Sequence, residues 1–130
     1  MSSRSFPLTI QRFVGPRSQI RVFFELADDS RREIDAYIDA GEVLVARRRD
    51  EVVGHVLFIS YGVQWEIKSI AVEPQHQREG IGTALVRSVL QRAELEGCIQ
   101  VVNRRVMRTS RPWLSRRCTS TFACAIGLSG

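Results

Sequence analysis

No apolar stretch in this chain is long enough to span a bilayer, which excludes a helical membrane anchor within it. The opening residues, "MSSRSFPLTI", lack the apolar core of a secretory leader, and the expectation is a soluble, cytoplasmic protein with no membrane partner. Cysteine is scarce: Cys98, Cys118 and Cys124 are odd in number and form no CxxC pair. That excludes a disulfide framework and a cysteine-built zinc site, so reduced thiols and no metal are expected. Acidic residues are missing from the C-terminal end. Residues 1–103 hold 13 Lys and Arg against 14 Asp and Glu, whereas 104–130 hold six arginines and no acid. The net charge of +5 is therefore a property of the tail alone. A basic tail can touch nucleic acid, but a solvated segment is the commoner case, and a nucleic-acid partner is not expected.

What is present fits one domain of 130 residues with an ordinary apolar fraction. "PLTIQRFV" (7–14) alternates in part and predicts a strand, broken by Gly15-Pro16. "SQIRVFFELA" (18–27) carries apolar residues at helical spacing. Ser30 with Glu33 three residues on forms a capping-box pattern, which opens a second helix that Gly41 ends. "EVLVARRR" (42–49) and "EVVGHVLFISY" (51–61) flank Asp50 as a hairpin, and a turn at Gly62 leads to a strand, "QWEIKSIAV" (64–72). "IGTALVRSVLQRAELE" (81–96) sets Ile81, Leu85, Val86, Val89, Leu90 and Ala93 on one face, with Gly97 as its stop. "CIQVV" (98–102) is a last strand. The order β-α-α-β-β-β-α-β predicts an α+β fold: a mixed, mostly antiparallel sheet flanked by helices, with parallel pairing across the last crossover.

The loop "EPQHQREGIG" (73–82) carries the chemistry. A helix N-terminus offers several free N–H groups and about half a positive charge. Gly80 and Gly82 let an anion approach those amides, and Arg78 adds a full charge. A P-loop would need Gly-Lys-Ser/Thr, but Gly82 is followed by Thr83-Ala84. A dinucleotide fingerprint would need a third small residue where Leu85 stands, and a tighter turn after Val72.

"IKSIAVEPQHQREGIGTALVRSVL" closely resembles the acetyl-CoA signature of the GNAT acyltransferase superfamily, in which Gln/Arg-x-x-Gly-x-Gly/Ala opens a helix. Here the segment is Gln77 through Gly82, and the resemblance covers residues 7–102. It implies acetyl-CoA as cosubstrate, with the pantetheine arm beside Ile70, Ala71 and Val72. It also implies a pyrophosphate on the amides of Arg78, Glu79, Gly80, Ile81 and Gly82, with Gln77 and Thr83 at the edges. Activity would then be N-acetyl transfer to a primary amine, on a small molecule or a peptide, by direct attack. Amines of pKa about 8 to 10.4 need a base or a desolvating site. Related enzymes often hold a glutamate on this strand, which makes Glu66 the catalytic candidate. The alternative for Glu66 is a surface carboxylate paired with Lys68 on the same strand face. The amide of Ile70 or Ala71 is the candidate oxyanion donor.

Other residues carry weaker expectations. His76 suits packing or a ribose contact, His55 a packed histidine, and Tyr61 the rim of a cleft. The segment 26–42 holds six acids and two arginines, which would favour a cationic acceptor if they wall its site. After residue 103 the chain departs from the family pattern: no tyrosine follows Tyr61, so the usual thiolate proton donor is missing. Residues 104–130 are thus expected to be an atypical basic segment, leaving the domain atypical or incomplete at its C-terminal end. A shifted reading frame is one hypothesis for this segment, tested by translating the coding DNA in its other frames. An uncovered sheet edge at 98–102 would promote association, so a homodimer is among the expected states. The alternative to catalysis is an acyl-CoA-binding module that has lost its proton donor.

Overall fold

The computed structural model describes residues 7–102. Five strands form one sheet in sequential order: β1 (Leu8–Arg12), β2 (Glu42–Arg48), β3 (Glu51–Tyr61), β4 (Gln64–Val72) and β5 (Gln100–Val102). The first three pairings are antiparallel and β4–β5 is parallel, as a helical crossover requires. The helices are α1 (Arg21–Ala27), entered through a 3-10 turn at Arg17–Ile20, α2 (Arg31–Tyr37) and α3 (Ile81–Leu95). The expected α+β order is the observed one. Residues 103–130, with Cys118, Cys124 and the basic tail, lie outside the described residues.

Alternation along the strands divides the core into two layers. Leu44, Ala46, Val56, Phe58, Trp65 and Ile67 pack under the apolar face of α3. Val43, Val45 and Leu57 pack under α1 and α2 with Phe23, Phe24, Ile34 and Tyr37. Between Leu57 and Phe58 the pairing with β4 slips: Leu57 faces Ser69 but Phe58 faces Ile67. Lys68 is the extra residue of a β-bulge. The bulge shifts the face that β4 presents, so Trp65 and Ile67 belong to the α3 layer before it and Ile70 and Val72 after it.

Local chemistry sets the helix ends. Ser30 Oγ accepts from the Glu33 amide at 3.2 Å, which is the expected N-cap of α2. The helix closes earlier than expected, at Tyr37 rather than Gly41. Its end is held from outside by the Arg17 guanidinium, which donates to the carbonyls of Ile38 (2.9 Å), Ala40 (2.7 Å) and Gly41 (3.0 Å). Gly41 has φ +58°, and a Cβ there would lie 2.2 Å from the Phe58 carbonyl oxygen, so no side chain fits. At the end of α3, Gly97 is left-handed (φ +81°) and the Cys98 amide reaches back to Ala93 O at 2.9 Å, the bond of a Schellman stop. Arg92 on α3 donates to Glu42 on β2 at 2.7 Å and fixes the helix across the sheet.

Candidate active site

The end of β4 and the start of α3 build one continuous feature. A short 3-10 turn at Pro74–His76 carries the chain from Val72 toward Gly80. Two bonds tie this loop to the sheet: Glu73 N–H to Val53 O at 2.9 Å, and Gln77 Nε2 to Val72 O at 3.2 Å. A third contact fixes its middle. Glu79 Oε1 lies 3.3 Å from Arg48 Nη2 on β2 and 3.4 Å from His76 Nδ1. His76 is therefore a loop-bracing side chain here, in line with its expected packing role.

Two residues reverse the chain into the helix: Arg78 with φ +73° and Gly80 with φ +80°. Gly80 is the N-cap of α3, has no side-chain cap, and the first backbone bond of the helix runs from Ala84 N–H to Gly80 O at 3.0 Å. The amides of Ile81, Gly82 and Thr83 precede that bond and are left for an outside acceptor. A Cβ on Gly80 would meet nothing within 4 Å, and one on Gly82 only Val72 Cγ2 at 3.9 Å. Among the described residues, nothing therefore crowds the helix mouth at these two glycines. Among the described residues, no carboxylate forms an ion pair with Arg78.

Tight packing behind the mouth holds it against the sheet. Gly54 on β3 faces Val72, and a Cβ there would come 3.0 Å from Ala71 O and 3.4 Å from the side chains of Ile81 and Leu85. Only a glycine lets α3 and β4 approach β3 this closely.

The direction of the β4 amides follows from one bond. Glu73 N–H points at β3, so antiparallel alternation turns the Ala71 amide toward β3 and those of Ile70 and Val72 toward the outer edge. β5 pairs only with Gln64–Glu66, and no described strand pairs with that outer edge from Ile67 to Val72, where the Gln77 side chain bonds to Val72 O. Of the two candidate oxyanion donors, Ile70 has its N–H on the open side. The sequence, without a register, left both open.

Glu66 lies on the α1/α2 face of β4, only 8% exposed, with Lys68 Nζ 3.9 Å from its Oε2. The pair with Lys68 that the alternative reading of Glu66 invoked is present, but the carboxylate is buried rather than on a strand surface. Lys68 Nζ also stands 6.0 Å from the centre of the Tyr37 ring.

Other expectations are redistributed. Tyr61 pairs with Gln64 at the hairpin end of β4. That is eight residues, roughly 26 Å at about 3.3 Å each, from Val72. It is exposed and does not border the helix mouth. The acids of 26–42 do not form one wall. Asp28 turns inward, accepting from Ser30 N–H (3.0 Å) and Tyr37 OH (3.3 Å), Asp35 holds Arg21 at 2.7 Å, and Glu42 holds Arg92.

The partner of His55 carries no signal in the sequence. This imidazole is fully buried, its Nε2 2.9 Å from Ser69 Oγ and its ring 4.4 Å from that of Phe24. Burial without an opposing charge lowers its pKa to about 3. It is thus neutral at physiological pH, which fits a packed histidine. Cys98 is free and buried. Among the described residues no helix is long and apolar enough to cross a membrane, and no cluster of metal-ligating side chains is gathered.

An uncapped helix mouth beside an open strand edge is an arrangement at which an anion and an extended chain can dock side by side. The sequence profile of the Acetyltransferase (GNAT) family matches residues 12–109, three quarters of the chain, and the chain belongs to that family. It is 36% identical over 73 residues to an uncharacterized N-acetyltransferase, YvbK, of Bacillus subtilis, a match covering 55% of this chain and 47% of that one. Among solved structures it resembles a GNAT family acetyltransferase from Elizabethkingia anophelis with acetyl-CoA bound. The TM-score is 0.68 and identity 29%, over 74% of this chain and 63% of that one. A Bacillus subtilis acetyltransferase in complex with CoA gives a TM-score of 0.67 and 26% identity, over 75% and 64% of the two chains. The chain spans about half the length of that curated relative and under two thirds of either structure.

Proposed function

We propose that this protein transfers an acetyl group from acetyl-CoA to a primary amine by direct attack within a ternary complex. The carrying observation is the mouth of α3, uncapped, glycine-lined and continuous with an outer edge of β4 that no described strand covers. A pyrophosphate on the amides of Arg78, Glu79, Gly80, Ile81 and Gly82, with Gln77 and Thr83 at the edges, would satisfy donors that the fold leaves free. The pantetheine arm would lie beside Ile70, Ala71 and Val72 as an added strand. Gln77 already occupies the Val72 carbonyl, so that bond fixes the loop or yields to the ligand.

The chemistry needs a free amine lone pair, a donor for the developing oxyanion and a thiol as leaving group. Glu66 is the base of this reading, acting directly or through one water. The Ile70 N–H supplies the oxyanion donor. The two solved relatives with acetyl-CoA or CoA bound support the cosubstrate. A small-molecule or peptide amine as acceptor and cytoplasmic residence belong to the same proposal.

Thiol release measured across a panel of primary amines tests it. Glu66→Gln should lower kcat by roughly 100-fold, with acetyl-CoA affinity unchanged. CoA binding without thiol release from any amine would instead favour a binding module that has lost catalysis.

A further inference from the structure

Of the 19 basic residues in the chain, Lys68 is the single lysine. It is the residue that the β-bulge leaves without a partner on β3. Its Nζ stands 3.9 Å from Glu66 Oε2, over the ring of Tyr37, with the side chain about a third exposed. Arginine keeps its charge at any working pH and is no acyl acceptor, whereas a lysine amine becomes nucleophilic once a base takes a proton. The fold therefore places its one side-chain amine beside the carboxylate proposed as the base.

Distance along β4 points to the same place. Gly82 adjoins Val72, so a diphosphate at the helix mouth is level with that end of the strand. An extended arm running along the open edge past Ile70 is level with Lys68 after four residues, roughly 13 Å at about 3.3 Å each. The reacting end of the cosubstrate then faces Lys68 and Glu66 together.

We propose that Lys68 is a self-acetylation site, on which the chain accepts one acetyl group from bound acetyl-CoA. This rests on the proposed function. The Lys68 ammonium gives one proton to Glu66, across a small side-chain rotation or one water, and from there to solvent. The freed Nζ attacks the thioester carbonyl carbon. The N–C bond forms, the C–S bond breaks, and the second proton from nitrogen passes to the departing thiolate. The products are Nε-acetyl-lysine, CoA thiol and a proton released to solvent. The product nitrogen is a non-nucleophilic amide and the chain has no second lysine, so the reaction stops at one acetyl per chain.

The full chain is incubated with acetyl-CoA and followed by intact-mass and peptide mass spectrometry, with calorimetric CoA binding in parallel. The expected result is one acetyl group, on Lys68. Its rate constant should saturate with acetyl-CoA and stay constant over a tenfold range of protein concentration. Lys68→Arg should abolish it, Gly82→Glu should abolish it by closing the helix mouth, and Glu66→Gln should slow it roughly 100-fold. Lys68 left unmodified while CoA binds and external amines release thiol overturns this inference alone. So does a rate linear in acetyl-CoA and indifferent to Gly82→Glu, which marks plain chemical acylation. No CoA binding at all overturns both this inference and the proposed function.

Discussion

Acidification should destabilise this fold through one residue, His55. The imidazole is enclosed by Phe23, Phe24 and Ser69, and no carboxylate of the described residues bonds to it. Its Nδ1 is buried with no hydrogen-bond partner among the described residues. Desolvation lowers the pKa from 6.5 to about 3. The folded state thus refuses a proton that the unfolded chain accepts below 6.5. The stability tied to neutral His55 is complete above the unfolded pKa and is lost as pH falls from there toward the folded value. The slope is about 1.4 kcal/mol per pH unit, so between about pH 7.5 and pH 5 the loss is about 2 kcal/mol. For a domain of this size that is a large share of the total. Urea unfolding of the native chain and of His55→Gln, each at both pH values, isolates the effect. The variant is weaker throughout, but its loss between the two pH values should be smaller by about 2 kcal/mol. Equal losses in both proteins would refute the reasoning and show that the site admits a proton or a compensating charge.

Three further perturbations test how the scaffold is held. Gly41→Ala should cost more than about 3 kcal/mol or prevent folding, since the new Cβ would collide with the Phe58 carbonyl at a left-handed position; soluble yield and thermal melting report it. Arg17→Ala should cost about 2 kcal/mol by releasing the carbonyls of Ile38, Ala40 and Gly41. Ser30→Ala should cost only about 1 kcal/mol, because it removes one cap bond at the other end of the same helix. Chemical denaturation of the two variants side by side should give that order.

Most of the architecture was legible because the strongest signals are local. The two-residue turns at Arg49-Asp50 and Gly62-Val63, the Ser30 cap and the six-residue apolar face of α3 each need only a few neighbours to specify them. The helix mouth was legible for the same reason, since two glycines and a proline loop encode backbone geometry directly. What sequence could not supply was register. In "QWEIKSIAV" the apolar positions 65 and 67 are followed by 70 and 72, and that break in alternation is the bulge at Lys68. Without the bond that fixes the register, from Glu73 N–H to Val53 O, the open-edge amide of Ile70 could not be told from the inward one of Ala71. Long-range partners were equally hidden. Nothing near Arg17 announces that it serves carbonyls more than twenty residues on, and nothing near His55 announces Ser69. The partners of the acids of 26–42 were hidden for the same reason, since the residues that hold Asp35 and Glu42, Arg21 and Arg92, lie outside that segment.

The account turns on the mouth of α3, and Gly82→Glu tests it with least ambiguity. That position carries no strained φ and has open space before it, unlike the left-handed Gly80, so the variant should fold. A carboxylate in the first turn favours the helix by about 0.5 kcal/mol, and replacing a helical glycine adds a similar amount. Calorimetric titration with acetyl-CoA should show saturable binding to the native chain and binding at least about 100-fold weaker, ~2.7 kcal/mol, to a Gly82→Glu variant whose melting temperature is unchanged or higher. Equal affinity in the two proteins, or none in the native chain, would contradict the account.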